Sequence, residues 1–169
     1  MRGRRGRFVT LITCYRVAQT SGVGLGDATA FVQQETLLRS AGVQVPKPKR
    51  HIMKEITEFV TTSMEKGDEI VLSLDANDEL DGKANEFTAM VASTGLIDII
   101  AEKHGEVART CLRGRRRIDY ILVSPGITQA VKKCGQIGIQ DAIMSDHTGY
   151  WVEFDGKKLF NGADRKSVV

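Results

Sequence analysis

The chain has 169 residues, 41% of them hydrophobic and 27% charged, with a net charge of +3, which suits one compact domain and is too apolar for a chain disordered throughout. No apolar run approaches the ~18 residues of a membrane span, and the basic start MRGRRGR lacks the apolar stretch of a signal peptide, so secretion and membrane anchoring are disfavoured. Cys14, Cys111 and Cys134 include no CxxC pair, which argues against a disulfide framework or a structural zinc and for a reducing intracellular compartment, nuclear or cytoplasmic.

From Phe8 to Tyr15 the run FVTLITCY is β-branched and aromatic and predicts a strand, broken by the glycines of SGVGLGD. Phe31, Gln34, Leu37, Leu38 and Ala41 recur at helical spacing and predict a helix over 28–41, with Gly42 as its stop. After Pro46 and Pro48, a second helix is expected with Ile52, Ile56, Phe59, Val60, Ser63 and Met64 on its core face. Residues 69–74 (EIVLSL) predict a strand that ends in Asp75-Ala76-Asn77-Asp78, and a weaker helix follows over 85–93. LIDII then leads into a loop containing His104, and strands are expected over 118–123, 131–139 and 149–154. Alternating elements in the first half and strands in the second predict an α/β or α+β layered fold. His51 and His104 read as ordinary helix-start and loop residues, and Trp151 as core.

Charge is unevenly placed. Arg2, Arg4, Arg5 and Arg7 make one basic cluster and Arg113, Arg115, Arg116 and Arg117 another, whereas ten acidic residues lie between Asp68 and Glu106 against Lys83 and Lys103. Arginine clusters suit phosphate and an acidic pocket suits a metal cation, although charge runs are as often solvated surface.

Three clusters sit beside β runs: Asp75 and Asn77 after IVLSL, Asp119 in RRIDYILVS, and Asp146-His147 in MSDHTGYWVEF. Carboxylates converging with one histidine can hold a divalent cation, orient water and stabilise developing charge on phosphorus. A calcium loop is the competing reading, since Asp75, Asn77, Glu79, Asp81 and Glu86 fall at positions 1, 3, 5, 7 and 12 of an EF-hand frame. Leu80 stands where that loop wants glycine, and the preceding segment is strand-like rather than helical. Ser145, Asp146 and His147 are adjacent and cannot align as a hydrolase triad.

In the order LDAN (74–77), RIDYIL (117–122) and SDH (145–147), the chain resembles the endonuclease/exonuclease/phosphatase superfamily over residues 8–156. TCYR (13–16) is similar to the strand that presents that family's phosphate-contacting tyrosine. TCYRV, FVQQETLLR and LDAN together also look like the endonuclease-like domains of retroelement-derived proteins. The resemblance implies metal-dependent phosphodiester hydrolysis with Mg²⁺ or Mn²⁺ and nucleic acid as partner. It also implies roles: Asp75 orients or deprotonates the attacking water, Asn77 steadies water and phosphate, Asp119 hydrogen-bonds the catalytic His147, Asp146 stands on the metal side, and Tyr15 aims at the scissile phosphate. Arg113, Arg115, Arg116 and Arg117 are expected to bind phosphate.

The family's amino-terminal asparagine and metal-ligand glutamate have no counterpart among the fourteen residues before Tyr15. The expected fold is therefore a partial four-layer α/β sandwich lacking the N-terminal section, with residues 1–7 a basic arm, 8–156 the domain and 157–169 a tail. Weak Mg²⁺ binding and self-association through exposed sheet faces follow from that expectation. The alternative function is a catalytically impaired or inactive remnant of such a domain that binds nucleic acid without cleavage.

Overall fold

A computed structural model describes residues 8–18, 29–80, 84–111, 116–138 and 145–160. Strand β1 (Val9–Tyr15) pairs in parallel with β2 (Glu69–Asp75), in register from Val9 with Glu69 to Tyr15 with Asp75. The crossover between them carries α1 (Ala30–Ser40) and α2 (Pro48–Glu65), as parallel pairing demands. Strand β4 (Asp119–Val123) runs antiparallel to β2 and also to the two-residue β3 (Ile97–Asp98), giving the sheet order β1-β2-β4-β3. Strands β5 (Val131–Ile137) and β6 (Gly149–Phe154) form a separate antiparallel pair.

The alternation of the central strands separates two cores. Ile70, Leu72, Leu74, Tyr120 and Leu122 face α2 and α3 (Glu86–Thr94), where Met53, Ile56, Val60, Phe87 and Met90 meet them. Val9, Val71, Ile121 and Val123 face the other way, toward Ile127, Val131, Cys134 and the helices α4 (Ile99–His104) and α5 (Gly156–Phe160). Each such aliphatic side chain, fully buried, contributes about 1.5–3 kcal/mol of transfer free energy, so both faces of the central sheet hold the fold. The mixed α/β architecture expected from the sequence is present.

Local expectations need correction in several places. Helix α1, expected over 28–41, is observed at Ala30–Ser40; it buries no residue and leaves Leu37 69% exposed. In α2 the buried positions are Pro48, Met53, Ile56, Val60 and Ser63, and Phe59 turns to solvent at 54% exposure. The LIDII segment holds β3 and the start of α4, so that His104 ends a helix where a loop was expected. The Asp98 side chain caps α4 by accepting from the Ala101 N–H, and the helix is too short to reveal a period in the sequence. His104 closes α4 and its Nε2 contacts the Cys134 carbonyl at 2.9 Å. Residues 156–160 are helical, with Leu159 buried.

Trp151 is 40% exposed instead of core, its indole lying over Gly135 on the neighbouring strand, where a Cβ would come within 3.0 Å of Nε1. Leu11 and Tyr15 stay 59% and 48% exposed, beside an open groove of about 290 Å³ lined by Leu11, Thr13, Ile121, Tyr150 and Trp151 among others. No helix among the described residues is long and apolar enough to cross a membrane.

Candidate active site

Register builds the site. Tyr15 on β1 aligns with Asp75 on β2, and Asp75 aligns with Asp119 on β4, so three neighbouring strands carry these residues in one row at one end of the sheet. Aligned residues of paired strands project to the same face, which puts Tyr15, Asp75 and Asp119 together although 104 positions separate the first from the last. His147 joins the row from just before β6, held by an isolated bridge to Cys111.

Thr110, fully buried, closes this corner in a way the sequence does not reveal. Its hydroxyl accepts from the Ile118 and Asp119 N–H groups at 3.0 and 3.1 Å, and its carbonyl accepts from the Thr148 N–H at 2.8 Å. One residue thus fixes the backbone beside both Asp119 and His147.

The His147 Nδ1 lies 3.0 and 3.2 Å from the two Asp119 oxygens. A carboxylate can only accept, so Nδ1 carries the proton and the neutral ring leaves Nε2 unprotonated. Asp75 Oδ1 accepts from the Asn77 N–H at 3.0 Å, a turn in which Asn77 takes the left-handed backbone (φ 48°) that asparagine tolerates better than most residues. The Asn77 side-chain amide donates to the Arg16 carbonyl at 2.7 Å, so its nitrogen is committed to the turn. The strand before this turn removes the helix that an EF-hand requires.

One donor atom from each of Asp75, Asp119 and His147 lies within 4.8 Å of the other two. Two carboxylates and an imidazole nitrogen suit Mn²⁺, and the carboxylates with water suit Mg²⁺, so the donor set fits a divalent cation. Asp146, the expected metal-side residue, is half-buried next to His147 but is not one of these three.

The arginines divide. Arg113 and Arg115 lie outside the described residues, and Arg116 is exposed. Arg117 is not presented to a phosphate: its guanidinium donates to both Asp98 oxygens and, through Nε, to the Tyr150 hydroxyl at 3.0 Å. It also sits 4.6 Å from the Tyr120 ring centroid and 5.6 Å from that of Tyr150. A partly buried guanidinium with a bidentate carboxylate has its charge already matched, which corrects the expectation for this residue.

Burial pushes the Asp75 carboxyl above the usual carboxylate range, and the charge of Asp119 adds to this while the Asn77 N–H and His147 oppose it. A raised folded-state pKa means that the native state holds the proton more tightly than the unfolded chain, so stability falls as pH rises through the window above the unfolded value of ~3.9. Asp75→Asn is therefore expected to raise Tm at pH 7, with the gain vanishing as pH falls through the unfolded-state value of ~3.9. Saturating Mn²⁺ is expected to raise Tm of the parent more than that of the variant. Thermal scans across pH with and without Mn²⁺ check both, and a variant less stable than the parent at pH 7 contradicts the assignment.

No protein-family model matches the chain, and no curated protein matches it. Solved structures do. The 3′ phosphatase NExo from Neisseria, bound to a product DNA hairpin, is 26% identical with a TM-score of 0.52, over 63% of this chain and 53% of that one. The 3′-5′ exonuclease NExo from Neisseria meningitidis is 24% identical with the same TM-score and coverage. The chain thus spans about half the length of the structures it matches. Its fold is that of the endonuclease/exonuclease/phosphatase superfamily, as the motif order implies.

Proposed function

We propose that the chain is a phosphodiester-hydrolysing domain that uses a divalent cation and acts on nucleic acid. The observation that carries this reading is the juxtaposition of Asp75, Asp119 and His147 at one sheet end, with Asp119 bonded to the His147 Nδ1. The likeness to a 3′ phosphatase bound to DNA and to a 3′-5′ exonuclease supports the substrate class.

In this reading the raised basicity of Asp75 suits a group that orients and deprotonates water. Asp119 holds the His147 ring in one tautomer, with the proton on Nδ1, which leaves the Nε2 lone pair as the ring's acceptor or ligand atom. Tyr15, half exposed at the end of β1, reaches for the phosphate, and the backbone of Asn77 fixes the Asp75 carboxylate. Mg²⁺ or Mn²⁺ would be held by Asp75, Asp119 and His147, with Asp146 as a further donor, and would supply Lewis-acid polarisation and charge neutralisation. Arg116, with Arg113 and Arg115, is assigned to the nucleic-acid backbone. The exposed side chains beside β1 favour self-association through the uncovered sheet face, and a nuclear or cytoplasmic location fits the free cysteines.

The test is cleavage of plasmid and hairpin oligonucleotides by the purified chain with Mg²⁺, Mn²⁺ or EDTA, beside Asp75→Ala. Metal-dependent cleavage that the variant loses is the expected result. Retention of the oligonucleotide without cleavage returns the alternative, a binding domain that does not cut, and activity equal in Asp75→Ala removes the site from the reaction.

A further inference from the structure

Among the described residues Arg16 is the largest fully buried side chain, 1% exposed, and it stands one position beyond the strand that delivers Tyr15. A buried guanidinium is costly unless its donors are matched, and here it makes four hydrogen bonds, two of them to the segment that follows Asp75. Its Nη1 donates to the Ala76 carbonyl at 3.2 Å and to Asp78 Oδ2 at 2.9 Å. Nη2 donates to Glu86 Oε2 at 3.1 Å, and Nε to the Lys49 carbonyl at 3.3 Å. The main chain of the same residue completes the set: its N–H donates to the Asp75 carbonyl at 2.8 Å, and its carbonyl accepts from the Asn77 side chain at 2.7 Å. One residue thereby touches 75, 76, 77 and 78 in succession.

We propose that Arg16 is a positioning residue for the Asp75 carboxylate, its guanidinium locking the 76–78 turn so that the Asn77 N–H stays on Asp75 Oδ1. Asn77 occupies the left-handed region, which its own preferences do not enforce, and a turn of this kind persists where its surroundings over-determine it. The planar fork of arginine reaches a backbone carbonyl and two carboxylates at once. A lysine at the same place would satisfy fewer of them. Glu86 lies on α3 and Lys49 on α2, so the same guanidinium refers the turn to both helices of the layer behind the sheet.

The consequence for chemistry rests on the hydrolytic reading above: a displacement of the carboxylate by about 1 Å is enough to cost 10²-fold in rate. The test uses the whole chain, with Arg16→Lys and Asp78→Asn. Amide exchange by NMR reads the turn directly. Expected in Arg16→Lys is exchange of the Asn77 N–H at least about 10-fold faster, with the amides of Leu72 and Leu122 unchanged, the signature of local rather than global opening. Asp78→Asn, which leaves the guanidinium and removes its nearest ionic partner, is expected to move Asn77 the same way to a smaller extent, and it decides the matter if Arg16→Lys does not fold. An Asn77 amide that exchanges as in the parent in the folded variants overturns the proposal. Kinetics on a hairpin oligonucleotide with Mn²⁺ form the second arm: kcat is expected to fall about 10²-fold in Arg16→Lys with KM within a few-fold, whereas equal kcat overturns a positioning role. A parent chain that does not cut sinks the hydrolytic reading and leaves the exchange arm to judge the hold of Arg16 on the turn.

Discussion

Arg117→Met is expected to lower Tm by roughly 6–20 °C, the largest loss of stability from any single change considered for this chain. The side chain of Asp98 is 8% exposed and faces Arg117 bidentately, so deleting the cation leaves a buried carboxylate without its partner, a change that costs about 3–5 kcal/mol. In a domain of this length each kcal/mol moves Tm by about 2–4 °C. The Tyr150 hydroxyl and two ring contacts go with it. Arg116→Ala, an exposed neighbour, is expected to stay within ~0.5 kcal/mol of the parent. Asn at 98 keeps an oxygen for the Ala101 N–H, so Asp98→Asn combined with Arg117→Met is expected to regain several degrees over Arg117→Met alone. Thermal denaturation of the four proteins checks this, and an Arg117→Met midpoint within 2 °C of the parent contradicts it.

These two arginines mark where sequence reading succeeds and where it stops. RIDYIL is legible as a strand because Ile118, Tyr120 and Leu122 alternate with Asp119, Ile121 and Val123, and the strand is observed from Asp119 to Val123. That Arg117 folds back onto Asp98 is a contact across 19 positions, between a residue at the edge of β4 and the cap of a helix too short to show a period. Composition presents Arg113 to Arg117 as one basic cluster; packing draws Arg117 out of it. Phe59 illustrates the same limit in α2. A helical stripe about 100° wide admits more apolar residues than the core accepts, and the choice between Phe59 and Met53 is made by α3 and β2, not by the helix itself.

The site was legible to the extent that it depends on strand ends. Asp75 and Asp119 stand at the carboxyl end of one strand and the start of its antiparallel neighbour, so pairing alone brings them side by side. What holds them there was not legible. Thr110 has no motif around it, and Arg16 sits inside TCYR as an unremarkable basic residue until the fold buries it. Residues that perform chemistry are reactive types in exposed turns, whereas residues that position them are recognised by burial and partners, which a sequence does not display.

Asp119→Asn is expected to have the largest effect on cleavage, lowering the rate by about 10²–10⁴-fold while the fold persists. Asp119 presents both oxygens to the His147 Nδ1, and because a carboxylate accepts only, it dictates that the proton resides on Nδ1. An asparagine can turn its NH₂ toward the ring instead, in which case Nδ1 becomes the acceptor and the proton moves to Nε2. The ring then has the opposite polarity toward the phosphate without having moved. The backbone of residue 119 remains tied to the Thr110 hydroxyl, so strand pairing is unaffected. Nitrogen-15 shifts of the His147 ring separate the tautomer effect from misfolding: the parent is expected in the Nδ1–H form and the variant shifted toward Nε2–H, with the remaining amide spectrum overlaying. Parent-like cleavage together with a displaced tautomer would mean that the ring takes no part in the reaction, and an unchanged tautomer would mean that Asp119 does not govern it.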